Sequence, residues 1–426
     1  MRISRLIVIL LALGASAVAA APSWRPVTDS WLWGRIDGMH FVSPSIGWIG
    51  TAGGSIHHTS DGGETWIEQY NDPYLYFRSL MFADTQKGWA GSLVSWRLLF
   101  QTTNGGDTWT EVWNIPEPRP SAICGLWVAS SQVIYGVGSY AGPARVIKSG
   151  DGGATWASQD LAPLANTVID VFFFNELEGF VVGGRGHFPN DIYSVVLRTT
   201  DGGATWSERY LGTRQGEWGW KISFPHADTG YVSLERFNGP MVVLKTVNRG
   251  LSWTELPFED YNEQGVGFAT PNTGWVGGSG NPTFGTTDGG LTWNLTPWGE
   301  EVDRFQFLSP ALGYASGAAV YKYKEWPLAV EPGPAPRSSL LAAPNPFGPR
   351  TTIQYTLAKS GSVDLFIADP AGRVVRKLAR DRQDAGRHRI EWDGRGNDGR
   401  ALPPGIYLYV LHAGEQHEMG KLIRLR

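Results

Sequence analysis

The sequence predicts an all-β protein, a seven-bladed β-propeller followed by a small β-sandwich, and three observations carry that reading. A phrase of the form Ser/Thr-x-Asp/Asn-x-Gly-x-Thr/Ser-Trp recurs six times, closing on Trp66, Trp109, Trp156, Trp206, Trp253 and Trp293. These tryptophans stand 40 to 50 residues apart, a period that marks propellers and solenoids. A second phrase is interleaved with the first: an aromatic, a turn, then a Gly-aromatic pair. It runs from Phe41 to Trp48, Phe82 to Trp89, Phe173 to Phe180, Phe224 to Tyr231, Phe268 to Trp275 and Phe307 to Tyr314, with a longer copy lacking the glycine at Trp127 to Tyr135. Beyond Trp326 a proline-rich stretch gives way to strands of period two.

The chain opens with Arg2 and Arg5, an apolar run from Leu6 to Ala17 and the small residues Ala19-Ala20-Ala21. That is the layout of a secretory signal peptide, so residues 1–21 are read as a leader and the protein as secreted or displayed at the cell surface. No other stretch approaches membrane-spanning length, and no spanning segment is expected in the mature chain. Cys124 is the only cysteine. It can form no intramolecular disulfide, and beside Ile123 and Leu126 it reads as a small buried apolar residue.

Residues 22–326 form the repeat array. In Thr59-Ser60-Asp61-Gly62-Gly63-Glu64-Thr65-Trp66 the aspartate accepts from backbone N–H groups ahead of it and Gly63 takes a left-handed conformation, which makes a tight hairpin. The second phrase connects the first two strands of a unit, and the hairpin connects the last two. A seventh unit beginning at Phe307 runs out after Val320-Tyr321-Lys322-Tyr323, so its outer strand must come from elsewhere; Ser23-Trp24-Arg25-Pro26-Val27 reads as that strand, closing the ring and removing a free sheet edge.

The hairpin phrases resemble Asp-boxes, the bacterial neuraminidase repeats. Together with the Phe-x6-Gly-Trp turns, residues 23–326 look most like the propellers of photosystem II assembly factors and their bacterial relatives. The resemblance implies a fold and leaves the function open, since Asp-boxes also occur in sialidases, xyloglucanases and sorting receptors.

Residues 327–339 read as an extended proline-rich linker. In 340–426, Thr352–Leu357, Val363–Ile367, Arg387–Trp392 and Gly405–Leu411 alternate with period two between turns, the pattern of a small β-sandwich. Pro344-Asn345-Pro346-Phe347, Asp369 to Val375 with Gly372-Arg373, Trp392-Asp393-Gly394 and Gly405-Ile406-Tyr407 resemble the immunoglobulin-like domain of flagellar hook-capping proteins. The Pro-Asn-Pro opening, the Gly372-Arg373 turn and the Gly-Ile-Tyr strand are equally similar to the C-terminal sorting domain of type IX secretion cargo, while Trp392-Asp393-Gly394 leans toward the hook-capping version. A sandwich behind a linker and an exported propeller fits the cargo address, which implies the outer-membrane secretion machinery as a partner of 340–426.

Up to residue 339, leaving out Arg2 and Arg5, there are 31 acidic and 20 basic residues; from 340 onward there are 9 and 14. An acidic body argues against nucleic acid as a partner. The repeated acids invite a metal, but each hairpin offers one carboxylate and calcium wants six to eight oxygens. Asp61, Asp151, Asp201, Asp288, Asn104 and Asn248 are therefore read, with the six closing tryptophans, as structural; no metal and no cofactor is expected.

Both phrases lie at one end of the propeller, which leaves the links between units at the other. Trp33, Asp37, Tyr76, Arg78, Arg185, His187, Trp218, Trp220 and Asp303 are the candidate ligand-binding residues of that loop-rich face, aromatics interspersed with charge that suit an unknown protein or glycan. A sialidase would need an Arg-Ile-Pro opening, a Tyr-Glu pair and an acid/base aspartate. Arg35-Ile36-Asp37 departs from the first, and nothing marks the second. No catalytic residue is assigned. The sequence reads as an exported noncatalytic binding or assembly module, with two alternatives open: a secreted glycoside hydrolase using acids among Asp37, Asp170, Glu217 and Asp303, and a structural surface protein.

Overall fold

The six hairpin phrases build one turn. In the first copy Thr59 Oγ1 donates to Asp61 Oδ1 (2.8 Å) and accepts from Gly63 N (2.9 Å). Asp61 in turn accepts from Thr65 N (2.9 Å) and Thr65 Oγ1 (2.6 Å). Gly63 sits at φ +96, a conformation that costs glycine nothing. Asn104 serves equally well because one bond reverses: its Oδ1 still accepts from Thr108 N (3.0 Å), while its Nδ2 donates to Thr108 Oγ1 (3.0 Å). The hydroxyls of Thr65, Thr155, Thr205 and Thr292, and the backbone amides of the same residues, hold Asp61, Asp151, Asp201 and Asp288 down to about 2.

The second phrase places a ring over a glycine. A Cβ at Gly47, Gly88, Gly179, Gly230, Gly274 or Gly313 would fall 2.3–2.5 Å from a ring carbon of the phenylalanine that begins the same phrase. The aromatic after that glycine then stacks on the leading phenylalanine of the next unit. Trp48 lies 3.6 Å from Phe82, Tyr135 3.7 Å from Phe173, Tyr231 3.5 Å from Phe268 and Tyr314 3.5 Å from Phe41, all within 9° of parallel. Phe180 on Phe224 and Trp275 on Phe307 are looser versions at 5.5 and 5.8 Å. In the third unit Ile134 replaces the glycine, and the leading Trp127 tilts at 56° onto Phe172.

These units are four-stranded antiparallel sheets, and the described residues of the first compact unit, Met1–Pro327, contain seven of them. The inner strands are Ile36–Phe41, Phe77–Phe82, Gly125–Val128, Thr167–Phe173, Glu217–Ser223, Glu263–Phe268 and Arg304–Ser309. The last sheet takes its outer strand from the start of the chain: Ser23–Pro26 pairs with Val320–Lys324, Trp24 opposite Tyr323. Trp24 is clamped by Trp298 (4.5 Å, stacked), Trp275 and Tyr323. Within a sheet, each hairpin phrase bonds back to the turn of the second phrase, as in Gly62 N to Ser45 O and Gly105 N to Gln86 O (both 2.8 Å), so both turns share one end of the ring.

The second unit, Leu328–Arg426, is a sandwich of a three-stranded sheet and a four-stranded sheet ordered Val374–Gln383, Gly361–Ala368, Gly405–Ala413, Gln416–Arg424. Ile353, Tyr355, Leu365, Trp392, Tyr409 and Leu422 form part of its core. Its sequence motifs have structural work to do. Asn345 donates to Lys421 O (2.6 Å) and accepts from Ile423 N (2.9 Å), which fixes the final strand. Arg373 closes the Asp369 turn through its N–H (3.0 Å) and Nε (2.8 Å).

The computed structural model describes residues 22–28, 34–138, 141–236, 239–258, 263–278, 282–326, 340–357, 359–370, 372–414 and 416–425. The leader, the linker and Trp33 lie outside them. Among the described residues no helix is long and apolar enough to cross a membrane.

The ring-over-glycine contact makes a quantitative prediction. Phe82 cannot yield, since Trp48 covers its other face, so Gly88→Ala should cost on the order of 1–3 kcal/mol by overpacking. Gly150→Ala, with nothing within 4 Å, should stay within about 0.5 kcal/mol of wild type. Urea unfolding of the two variants checks the contrast.

Candidate functional site: the axis of the propeller

The inner strands run toward the axis with a fixed register to the leading aromatic. Four residues before it stand Asp37, Arg78, Ile123, Ile169, Trp220, Gln264 and Asp303; three before it stand Gly38, Ser79, Cys124, Asp170, Lys221, Gly265 and Arg304. The charged members of these two sets converge on the axis. Arg78 lies between Asp303 (3.2 Å) and Asp37 (4.0 Å), all three buried, and over the Trp220 ring at 5.4 Å. Arg35 pairs with Asp37 (2.8 Å) and donates to Gln264 Oε1 (3.0 Å). Gln264 donates onward to Glu235 (2.8 Å). Tyr76 donates to Asp37. Arg304 donates from Nε to the Asp37 carbonyl (2.8 Å), and Lys221 faces Asp170 at 3.7 Å.

Burial and charge sort the protonation of this cluster. Burial and then the Asp37 charge push Asp303 up to about 7. Asp37 goes the other way, because Arg78 and Arg35 outweigh its own desolvation. Burial, with help from Arg304 and Arg78, brings Lys221 down to about 7, and burial raises Glu235 to about 7. Asp37 and Asp303 share one buried cation, the Arg78 guanidinium, rather than flanking an open cleft as the carboxyl pair of a glycosidase does.

A cavity of ≈ 270 Å³ lies on the same axis. Its floor is formed by Asp170, Lys221, Asp303 and Arg304, and its wall by Met39, Met81, Trp127, Phe172, Phe224 and Phe305 among others. These wall residues come from the C-terminal halves of the inner strands, so the cavity opens at the end that carries the hairpin phrases. The link end of the axis holds Arg35 and Tyr76. His40, also in the wall, is held down to about 4 by burial and the Arg304 charge, and its Nδ1 accepts from Phe82 N.

The structure brings together five of the nine candidate ligand-binding residues: Asp37, Tyr76, Arg78, Trp220 and Asp303. Two expectations are corrected. Trp218 and Trp220, expected on the links of the loop-rich face, belong to the inner strand Glu217–Ser223 and are 1% and 7% exposed. Trp218 packs against Phe188 at 5.1 Å. Arg185 and His187 sit apart from the axis, Arg185 bonded to Leu164 O and Glu208, and His187 exposed at the end of its strand. Glu217 is likewise committed, to Arg214 (2.7 Å) and Ser194 (2.9 Å). Lys221 and Arg304, which stand near the inner-strand starts, were not among the nine binding candidates, Asp170 was named only among the acids of the hydrolase alternative, and the aromatic wall was not read. Aligning the seven phrases on their leading aromatics is the signal that finds the charged ones. Among the described residues no group of three or more His, Cys, Asp or Glu side chains is placed to hold a metal.

Residues 154–262 match the family described as Photosynthesis system II assembly factor YCF48. Residues 348–416 match the FlgD Ig-like domain. No curated protein matches the chain. Among solved structures, one described as YCF48 bound to D1 peptide is 17% identical at a TM-score of 0.54, covering 72% of this chain and 97% of that one. PorZ, an essential surface component of the type-IX secretion system of Porphyromonas gingivalis, is 13% identical at a TM-score of 0.51 over 92% of this chain. An ancestral GH74 enzyme is 14% identical at 0.52 over 93%. This chain spans 59% and 60% of the last two. At these identities the likeness concerns the fold.

The Arg78 cluster yields a stability prediction. Arg78→Met leaves Asp37 and Asp303 buried without their shared cation, so it should cost about 3–5 kcal/mol. Adding Asp303→Asn should recover part of that loss, and a double-mutant cycle in urea measures the coupling.

Proposed function

We propose that this protein is an exported, noncatalytic docking propeller that holds a segment of a partner protein in the axial cavity at the hairpin end of the ring. The observation that carries this reading is the cavity itself: a half-buried aromatic wall above a charged floor, at the one place where all seven sheets converge. Recognition surfaces concentrate affinity in a few anchors that fill such pockets. The fold-level likeness to a YCF48 structure with a bound peptide supports the choice of a protein segment over a glycan. Arg78, buried between Asp37 and Asp303 and paired with both, favours binding over glycoside hydrolysis by that pair of acids. Residues 1–21 would direct export, and the Asp-box array would serve as scaffold. The domain at 340–426 would act as an address for an outer-membrane secretion system, as in type IX cargo.

Selection of phage-displayed peptides on the full mature chain tests the reading. Peptides enriched on the wild type should lose binding to Ser223→Phe, which fills the cavity, and keep it on Trp96→Ala at the link end, where Trp96 is 66% exposed. Loss only in the Trp96 variant would move the site to the link face, and release of reducing sugar from oligosaccharides would replace docking with hydrolysis. Expression with the leader should place the chain outside the cytoplasm; retention there would contradict export.

A further inference from the structure

The floor of the axial cavity contains polar atoms that the fold leaves unsatisfied. Lys221 is 4% exposed, and its Nζ makes no hydrogen bond. Asp303 is fully buried, and no donor reaches either carboxylate oxygen in hydrogen-bonding geometry; its neighbours are the Arg78 guanidinium and the Asp37 carboxyl. Both are ion-paired, Lys221 with Asp170 at 3.7 Å and Asp303 with Arg78 at 3.2 Å, yet neither makes the hydrogen bonds that buried polar groups normally have. Two such groups of opposite sign lining one cavity indicate a ligand group that can satisfy both.

The charges narrow its chemistry. An acidic group would meet Asp170 and Asp303, and a basic one would meet Lys221 and Arg304, so a net charge of either sign finds a like charge on the floor. The complement is a neutral group that both donates and accepts. The wall adds a second requirement, since Trp127, Phe172, Phe224 and Phe305 form an apolar sleeve above the floor. The size adds a third: a cavity of ≈ 270 Å³ has room for a large side chain. Phenylalanine fits the sleeve and has no polar tip, tryptophan can only donate, and glutamine has no ring. A tyrosine presents a ring to the sleeve and a hydroxyl that donates and accepts at the floor.

We propose that the axial cavity is an anchor pocket for a single tyrosine side chain of the partner segment, its hydroxyl accepting from Lys221 Nζ and donating to the Asp303 carboxylate. This rests on the docking reading above and specifies its anchor. The neighbouring charges that set the protonation of the floor are Asp37, Arg35, Arg78, Asp170 and Arg304. Below about pH 7 Lys221 is fully charged and Asp303 gains a proton, and the phenol then has a donor but a weaker acceptor.

Full-length protein labelled at its methionine methyls tests this with N-acetyl-tyrosinamide, N-acetyl-phenylalaninamide and N-acetyl-glutamate as probes. Met39 and Met81 line the cavity; Met241 and Met419 do not. The tyrosine probe should shift the Met39 and Met81 signals and bind at least about tenfold tighter than the phenylalanine probe. Lys221→Met should bring that ratio to about one with Met241 unchanged, and Ser223→Phe should abolish binding of both. Equal affinity of the tyrosine and phenylalanine probes in the wild type, tighter binding of the glutamate probe, or no shift of Met39 and Met81 at millimolar probe would overturn the assignment. Peptides that bind the wild type and fail on Ser223→Phe, yet show no tyrosine preference, would leave the docking reading standing and remove the tyrosine.

Discussion

The structure of the propeller depends on one contact repeated around it: a phenylalanine held between a glycine of its own sheet and an aromatic of the sheet before. The glycine lets the ring lie flat on the backbone, and the flat ring gives the next aromatic a face to stack on. Tyr231 on Phe268 and Tyr314 on Phe41 meet at 3.5 Å. Each close aromatic pair adds about 0.5–1.5 kcal/mol beyond its area burial. Hydrogen bonds lock the stack: Tyr231 and Tyr314 donate their hydroxyls to Pro271 O (2.7 Å) and Pro44 O (2.8 Å). Lys245 and Lys322 reach the hairpin glycines of the following sheets. The contact between Tyr314 and Phe41 joins the last sheet to the first, and the borrowed strand Ser23–Pro26 covers the edge beside it.

Because the stack fixes each inner strand at its leading aromatic, it also fixes what lies three and four residues earlier. Ile123 and Ile169 at these positions pack between sheets, but the charged carriers converge on the axis from several sheets: Asp37 and Arg78 from the first two, Lys221 from the fifth, Asp303 and Arg304 from the seventh. The result is a buried network in which charge is nearly balanced and hydrogen bonding is incomplete. A fold held together by aromatic packing at the hairpin end can tolerate that deficit on its axis, and a binding site profits from it.

Much of this was legible in the sequence. The period of the closing tryptophans and the interleaved aromatic turns are local patterns that map onto local structure, and the stranded Ser23–Val27 segment was legible because the seventh unit lacks an outer strand of its own. The interchange of Asp61 and Asn104 was legible for the same reason, since the turn needs one acceptor for a backbone N–H and tolerates either direction for the hydroxyl bond. What failed was burial. Trp218 and Trp220 read as link aromatics, yet Glu217–Ser223 is a strand with a register shift between Gly219 and Lys221, and only the neighbouring sheets decide that it is covered. In the second unit Val374–Gln383 and Gln416–Arg424 were missed as strands. Arg376, Lys377, Arg380, Asp381 and Arg382 break the alternation in the first, because an edge strand exposes most of its side chains. The cavity opens at the hairpin end, opposite to the link face, since the end of a channel that remains unfilled is a property of side-chain volumes summed over seven strands.

Closure of the ring by its borrowed strand is the claim on which the rest turns, and native-state hydrogen exchange of the full chain tests it most directly. The Val27 amide bonds to Val320 O at 2.9 Å, and Ser23–Pro26 pairs along Val320–Lys324. The Arg25 and Val27 amides, which lie on the bonded side of this edge strand, should exchange as slowly as those of the inner strand Ile36–Phe41, opening only with the whole propeller. Exchange of the Arg25 and Val27 amides by orders of magnitude faster, with Ile36–Phe41 still protected, would show that the ring holds without the strand and would contradict the account.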